Sequence, residues 1–151
     1  EAYIGETDLA CHARVGKTLR NRVMYGAPGR AYVYFTYGMH WLLNAVTAEE
    51  GFPAAVLIRA LKLEAGFEGV STRRPHVKPA EWTNGPAKLT RAFGIDGLQN
   101  DLDLTRTDEN LWILAGEPIL ESRVTIGPRV GLYTVPEPWK SMPWRFNVTE
   151  K

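Results

Sequence analysis

Apolar and polar positions are patterned most clearly in residues 31–47. Residues 31–37 and 40–47 are both rich in aromatic and β-branched side chains, with Gly38 and Met39 between them. That pattern predicts a β-hairpin with a tight turn near Tyr37 and Gly38. On its first arm Tyr32, Tyr34 and Thr36 share one face, and Val33, Phe35 and Tyr37 the other. Residues 54–61 are apolar except for Arg59 and predict a third strand. Shorter strands are expected at 111–114, 123–126 and 145–148. Helices are expected at 8–14, 19–25 and 86–93. In the last, Asn84 suits the N-cap, Pro86 the first turn and Gly94 the stop. Residues 66–82 lack periodicity and carry Gly66, Gly69, Pro75 and Pro79, so a long loop is expected there. Residues 127–143 are also punctuated by proline and glycine and read as irregular. No repeat and no linker divides the chain. These elements predict an α+β fold: one domain over residues 1–151, with a curved, mostly antiparallel sheet, surrounding helices and a protruding hairpin.

Composition narrows the class. A chain of 151 residues buries roughly two thirds of its unfolded surface, enough for a real core. The composition excludes collagen, coiled coil and low-complexity disorder. No apolar run reaches the about 18 residues of a membrane span. No basic-then-apolar leader opens the chain. Glu1 reads as a cut end, because it opens inside structured sequence. Cys11 is the sole cysteine, so no internal disulfide forms and a reducing compartment is expected.

Charge is balanced but segregated. Five basic residues and no acid fall between Arg14 and Arg30, and five basic residues with one acid between Arg73 and Arg91. Seven acids with one base follow between Asp96 and Glu121. Either this is an ordinary solvated surface, or one face meets a polyanion such as DNA, which carries about one charge per 1.7 Å of axis.

Four groups of residues are candidates for chemistry. Glu1, Tyr3 and His12 place a carboxylate, a phenol and an imidazole close in sequence. Their spacing, with Cys11, matches no metal site. Tyr37 flanks the turn glycine, where a core position is least expected. An exposed aromatic there can wedge between stacked bases or fill a partner's pocket, or it can pack across the strand pair. Asn84-Gly85-Pro86-Ala87-Lys88 reads either as an anion site at a helix start or as a simple capped helix. Arg59 and Asn44, in apolar surroundings, each need a polar partner.

Taken in order, these segments resemble the alkyladenine (3-methyladenine) DNA glycosylases of the mammalian and Bacillus type. The residues that carry the resemblance are Glu1-Ala2-Tyr3-Ile4-Gly5 with Cys11-His12, then Arg20-Asn21-Arg22, then Tyr32 to Tyr34 and Tyr37-Gly38-Met39. Asn44, Val56 to Leu61, Asn84 to Leu89, Arg129-Val130-Gly131 and Pro143 to Phe146 continue it. The resemblance implies a small repair enzyme, inside the cell wherever the DNA is. It implies action on double-stranded DNA with a damaged purine, without metal, cofactor, membrane or obligate protein partner.

It also implies roles. Glu1 matches the general base that activates the attacking water, and Arg59 an arginine near the flipped nucleotide's phosphate. Tyr3, His12 and Tyr34 match the walls that stack on the extruded base. Asn44 matches the pocket asparagine that disfavours the amine of normal guanine. Tyr37 matches the intercalating residue, with Met39 beside it in the groove. Lys88 and Arg22 are expected at DNA phosphates, although Arg22 equally suits an ion pair in the scaffold. His40 and Trp41 depart from the mammalian pattern, in which other aromatics follow the Tyr-Gly-Met stretch. The lesion range is left open. Two other readings compete: a glycosylase with lyase activity using Lys88 as a Schiff-base amine, and a damage-binding module without chemistry.

Overall fold

The computed structural model describes residues 1–149. Strands β1 (Ala2–Ile4), β2 (Ala31–Thr36), β3 (His40–Val46) and β4 (Ala54–Leu57) form a fully antiparallel sheet in the order β1-β4-β3-β2. The hairpin expected from the sequence is β2–β3, paired from Ala31 opposite Ala45 to Thr36 opposite His40. Its turn is closed by the Met39 N–H, which donates to the Thr36 carbonyl at 3.1 Å. Tyr37 (φ 52°) and Gly38 (φ 67°) are both left-handed. Two successive left-handed residues match the twist of the flanking strands. Glycine adopts that conformation freely, whereas a tyrosine there costs about 1–2 kcal/mol.

Alternation along β2 sends neighbouring residues to opposite cores. Tyr32, with Val46 and Ala55, packs on Cys11, Ala13, Val23, Met24 and Tyr25. Ala31, Val33 and Leu43 pack on Ile95 and Leu104. Helices α1 (Phe67–Arg73) and α2 (Pro86–Phe93) meet through Val70, Ala92 and Trp82. The Thr90 hydroxyl ties α2 to β3 by donating to the Trp41 carbonyl at 2.8 Å. Strands β5 (Val124–Gly127) and β6 (Arg145–Val148) form a separate two-stranded ribbon at the expected positions. Among the described residues no helix is long and apolar enough to cross a membrane. Leu104 is buried in the core formed with Ala31, Val33, Leu43 and Ile95. Leu104→Ala should therefore lower the urea unfolding free energy by about 2–5 kcal/mol with an unchanged m value.

Several expectations are corrected. Residues 66–82 are not a plain loop: they hold α1 and a 3-10 turn, Pro79–Glu81. The helix opens on a left-handed Gly66 (φ 76°) without a side-chain cap, so it gave no start signal. Asn84 is not the cap of α2. Gly85 holds that position, and Asn84 Oδ1 accepts from Lys88 Nζ at 2.8 Å. The expected helices at 8–14 and 19–25 shrink to the 3-10 turns His12–Val15 and Arg22–Tyr25. Gly16 stops the first (φ 77°), and the Asn21 amide takes up the His12 and Gly16 carbonyls that a longer helix would use internally. The third strand ends at Leu57, so Arg59 lies beyond it. Residues 111–114 form no strand; Ile113 N–H donates to the Leu104 carbonyl alone.

Candidate active site

The site begins where β1 meets β4. The Glu1 backbone continues the ladder, donating to the Leu57 carbonyl (2.9 Å) and accepting from the Leu57 N–H (2.8 Å). That pairing fixes the direction of the Glu1 side chain, which has no exposed surface. Its carboxylate is held by three donors. The Tyr3 hydroxyl (3.0 Å) and Arg59 Nη1 (3.1 Å) donate to Oε2, and the Val130 N–H donates to Oε1 at 2.7 Å. Arg59, the odd charge of the apolar run, thus has Glu1 as its partner. Charge-assisted contacts of this kind are short and hold geometry well.

A cleft of about 360 Å³ opens against these partners. Tyr3, His12, Tyr34, Asn44 and Arg59 line it, and it reaches Tyr37 at the hairpin tip and Pro86 at the start of α2. The expected base-pocket residues are therefore brought together. Glu1 itself lies one layer behind the wall formed by Tyr3, Arg59 and Val130. A volume of this size, lined by tyrosines and aliphatic side chains with a few fixed polar groups, suits one small planar ligand.

The aromatic wall is ordered by its own contacts. His12 stands edge-on to Tyr34, with centroids 4.5 Å apart, and Tyr34 lies 5.2 Å from Tyr32. The Tyr32 hydroxyl is 2.9 Å from His12 Nδ1. Burial, with Arg20 and Arg14 nearby, pushes the His12 pKa down to about 4. The imidazole is thus neutral at physiological pH. Burial pushes the Tyr34 phenol up to about 12. Burial and then the Glu1 carboxylate push Tyr3 well above the ordinary phenol range. No phenol in the wall readily gives up its proton. Asn44 is buried in β3, and its Nδ2 donates to the Tyr32 carbonyl at 3.0 Å across the strand pair.

The remaining expected residues are dispersed. Tyr37 is 85% exposed and Met39 67%, both at the hairpin tip. Lys88 does not line the cleft; its ammonium meets Asn84 and lies 3.9 Å from Glu81. That pairing gives no support to a Schiff-base amine. Arg22 is exposed, and its guanidinium has no partner among the described residues, so it holds no ion pair in the scaffold.

Charge segregation partly survives folding. Arg20 stacks over Tyr34 (5.5 Å) and donates to the Phe35 carbonyl, on the cleft face of the hairpin. The acidic stretch around Asp101 and Asp103 sits with Leu102 and Leu104 on the opposite sheet face.

Sequence reasoning assigned no role to three features. The Val130 amide gives no signal, because a backbone donor is invisible in side-chain patterns. The sequence places Tyr32 only on one face of its strand. Asp8 and Arg129 lie 121 residues apart, yet form a fully buried bidentate ion pair. Arg129 stands in a stretch that carries the family resemblance, but nothing local pairs it with Asp8.

The chain matches the family model described as methylpurine-DNA glycosylase over residues 1–151. A Carboxydothermus hydrogenoformans protein with the provisional name 3-methyladenine DNA glycosylase is 46% identical over 97% of this chain and 73% of its own length. A Methanocella arvoryzae protein of the same provisional name is 46% identical over 97% of this chain and 72% of its own. One from Burkholderia orbicola is 42% identical over 98% of this chain and 70% of its own. The chain belongs to the methylpurine-DNA glycosylase family.

Proposed function

We propose that this protein is a monofunctional purine DNA glycosylase of base-excision repair. Its substrate is duplex DNA holding a damaged purine, and it acts without a protein partner. Tyr37 enters the stack and the damaged nucleotide turns out into the cleft. There the base lies against Tyr3, His12 and Tyr34. Stacking on aromatics is worth about 1–3 kcal/mol per base. That offsets much of the few kcal/mol needed to unstack and unpair a base, which is least for a damaged one. Asn44 at the cleft wall opposes the exocyclic amine of guanine. Exposed Arg22, and Lys88 in the first turn of α2, meet phosphates.

The observation that carries this reading is a buried carboxylate, fixed by three donors, directly behind a cleft of base size. The C1′–N bond breaks and its electron pair leaves with the base. Water oxygen bonds to C1′ as its proton passes to Glu1. Arg59 is the one charged group among the three that hold the carboxylate, so a nucleotide phosphate that draws its guanidinium gives water access to Oε2.

Burial keeps the His12 imidazole neutral and raises the Tyr3 and Tyr34 phenols, so the groups placed against the base are poor acids for its departure. That favours purines already cationic through alkylation, which depart neutral. Chromatography of the base released from methylated duplex checks this. Free methylated purine is expected, with nothing released from undamaged duplex and no adduct trapped by borohydride. Tight binding of methylated duplex without base release would replace the reading with a damage-binding module.

Two smaller effects follow from the site. Tyr3→Phe removes one donor from Oε2 while keeping the stacking ring. It should slow single-turnover excision about tenfold, the size of one hydrogen bond near 1.4 kcal/mol. His12 adds a pH dependence. Its folded pKa, about 4, lies below the unfolded value near 6.5. The unfolded chain therefore binds the proton first, and the contribution of His12 is complete above pH 6.5 and lost as the pH falls toward 4. Urea unfolding from pH 7 to 4 should show this loss reduced in His12→Gln.

A further inference from the structure

We infer that the buried Asp8–Arg129 pair is a positioning device for the reaction, acting on the Glu1 carboxylate through the neighbouring Val130 amide; this rests on the glycosylase reading above. Both side chains are fully buried. Asp8 follows the end of β1 and accepts from the Ala10 N–H at 3.0 Å, just before His12. Arg129 comes from the irregular segment between Gly127 and Arg145. Besides both Asp8 oxygens, its guanidinium reaches the Ala2 carbonyl (3.0 Å) and the Trp139 carbonyl (3.1 Å). It lies between the rings of Tyr3 (4.7 Å) and Trp144 (4.9 Å).

One side chain therefore locks four things together: the strand that carries Glu1 and Tyr3, the segment leading to His12, the 139 carbonyl, and residue 130. The last is the step to chemistry. Val130 follows Arg129 directly, and its N–H holds Glu1 Oε1 at 2.7 Å. No regular element carries Val130, since it falls in a turn outside both sheets. The ion pair is thus what fixes its distance from the carboxylate. A fork is needed for this, because lysine supplies a point charge but cannot span two oxygens, two carbonyls and two rings. A displacement of about 1 Å in a reacting group costs on the order of 100-fold in rate.

The test is Arg129→Lys and, separately, Val130→Pro, which deletes the N–H and keeps the ion pair. Saturating single-turnover excision of 3-methyladenine from duplex is measured well below each variant's unfolding temperature. The half-saturating protein concentration is recorded alongside. The expected result is a 10- to 100-fold lower maximal rate in both variants, with half-saturation within threefold of wild type. A purely structural role lowers the amount of folded protein and leaves the rate per folded molecule alone. Should Arg129→Lys fail to fold, Val130→Pro decides by the same criterion. Wild-type rates within threefold in the folded variants, or a rate loss matched by an equal loss of lesion binding, overturn the inference. Failure of wild type itself to release base overturns the glycosylase reading instead.

Discussion

Glu1→Gln should excise no damaged base at a measurable rate while still binding lesion duplex. General base catalysis contributes about 10²–10⁴-fold, and that factor is the minimum loss expected in single-turnover assays. Binding should hold or tighten, because the substitution removes a negative charge close to a polyanion. The variant also has a structural cost. Oε2 accepts from both Tyr3 and Arg59. An amide nitrogen in that position sets a donor against two donors, and leaves the Arg59 guanidinium without its partner. The expected loss of stability is about 1–3 kcal/mol, the cost of a buried group left unsatisfied. Denaturant unfolding and lesion-duplex binding, run beside the rate assay, separate the two effects. Retained excision would mean that another group activates the water.

Tyr37→Asn should stabilise the protein and cripple it. The native tyrosine sits at φ 52° with 85% of its surface exposed. It therefore bears the strain of a left-handed residue without the return of burial. Asparagine tolerates that conformation, and Asn-Gly is the preferred pair for a turn with two left-handed residues. A gain of up to about 1–2 kcal/mol is expected, the cost of the left-handed conformation, with the sheet unchanged. Excision should nevertheless fall about 10- to 100-fold, since a wedge worth about 1–3 kcal/mol of stacking is gone. The loss should shrink when the lesion faces a gap, where less unpairing is needed. Strain in a solvent-exposed aromatic is intelligible if the residue earns its place only against DNA. A variant that is more stable and fully active would remove that explanation.

Much of the architecture could be read from the chain, and the exceptions have physical causes. The hairpin was legible because its alternation, aromatic content and turn glycine all agree. So was α2, apart from its cap, where Gly85 displaced Asn84. The 8–14 and 19–25 segments carry helical periodicity, but Gly16, Gly26 and the Asn21 side chain end the turns after four residues. Helix α1 was hidden by Gly66 and Gly69. At the site, Tyr3, His12, Tyr34 and Asn44 converge as the family resemblance implies. What could not be read was the means of holding them. The Val130 amide and the Asp8–Arg129 pair depend on a tertiary contact between distant segments, and neither leaves a local pattern.

The most direct test of the account is a single turnover on duplex containing 3-methyladenine, run with wild type and Glu1→Gln and analysed by mass spectrometry. Hydrolysis with Glu1 as base predicts free purine and an intact abasic site from wild type, no protein–DNA adduct after borohydride, and no base released by the variant. A trapped covalent adduct, or tightly bound lesion duplex with no base released, would contradict it.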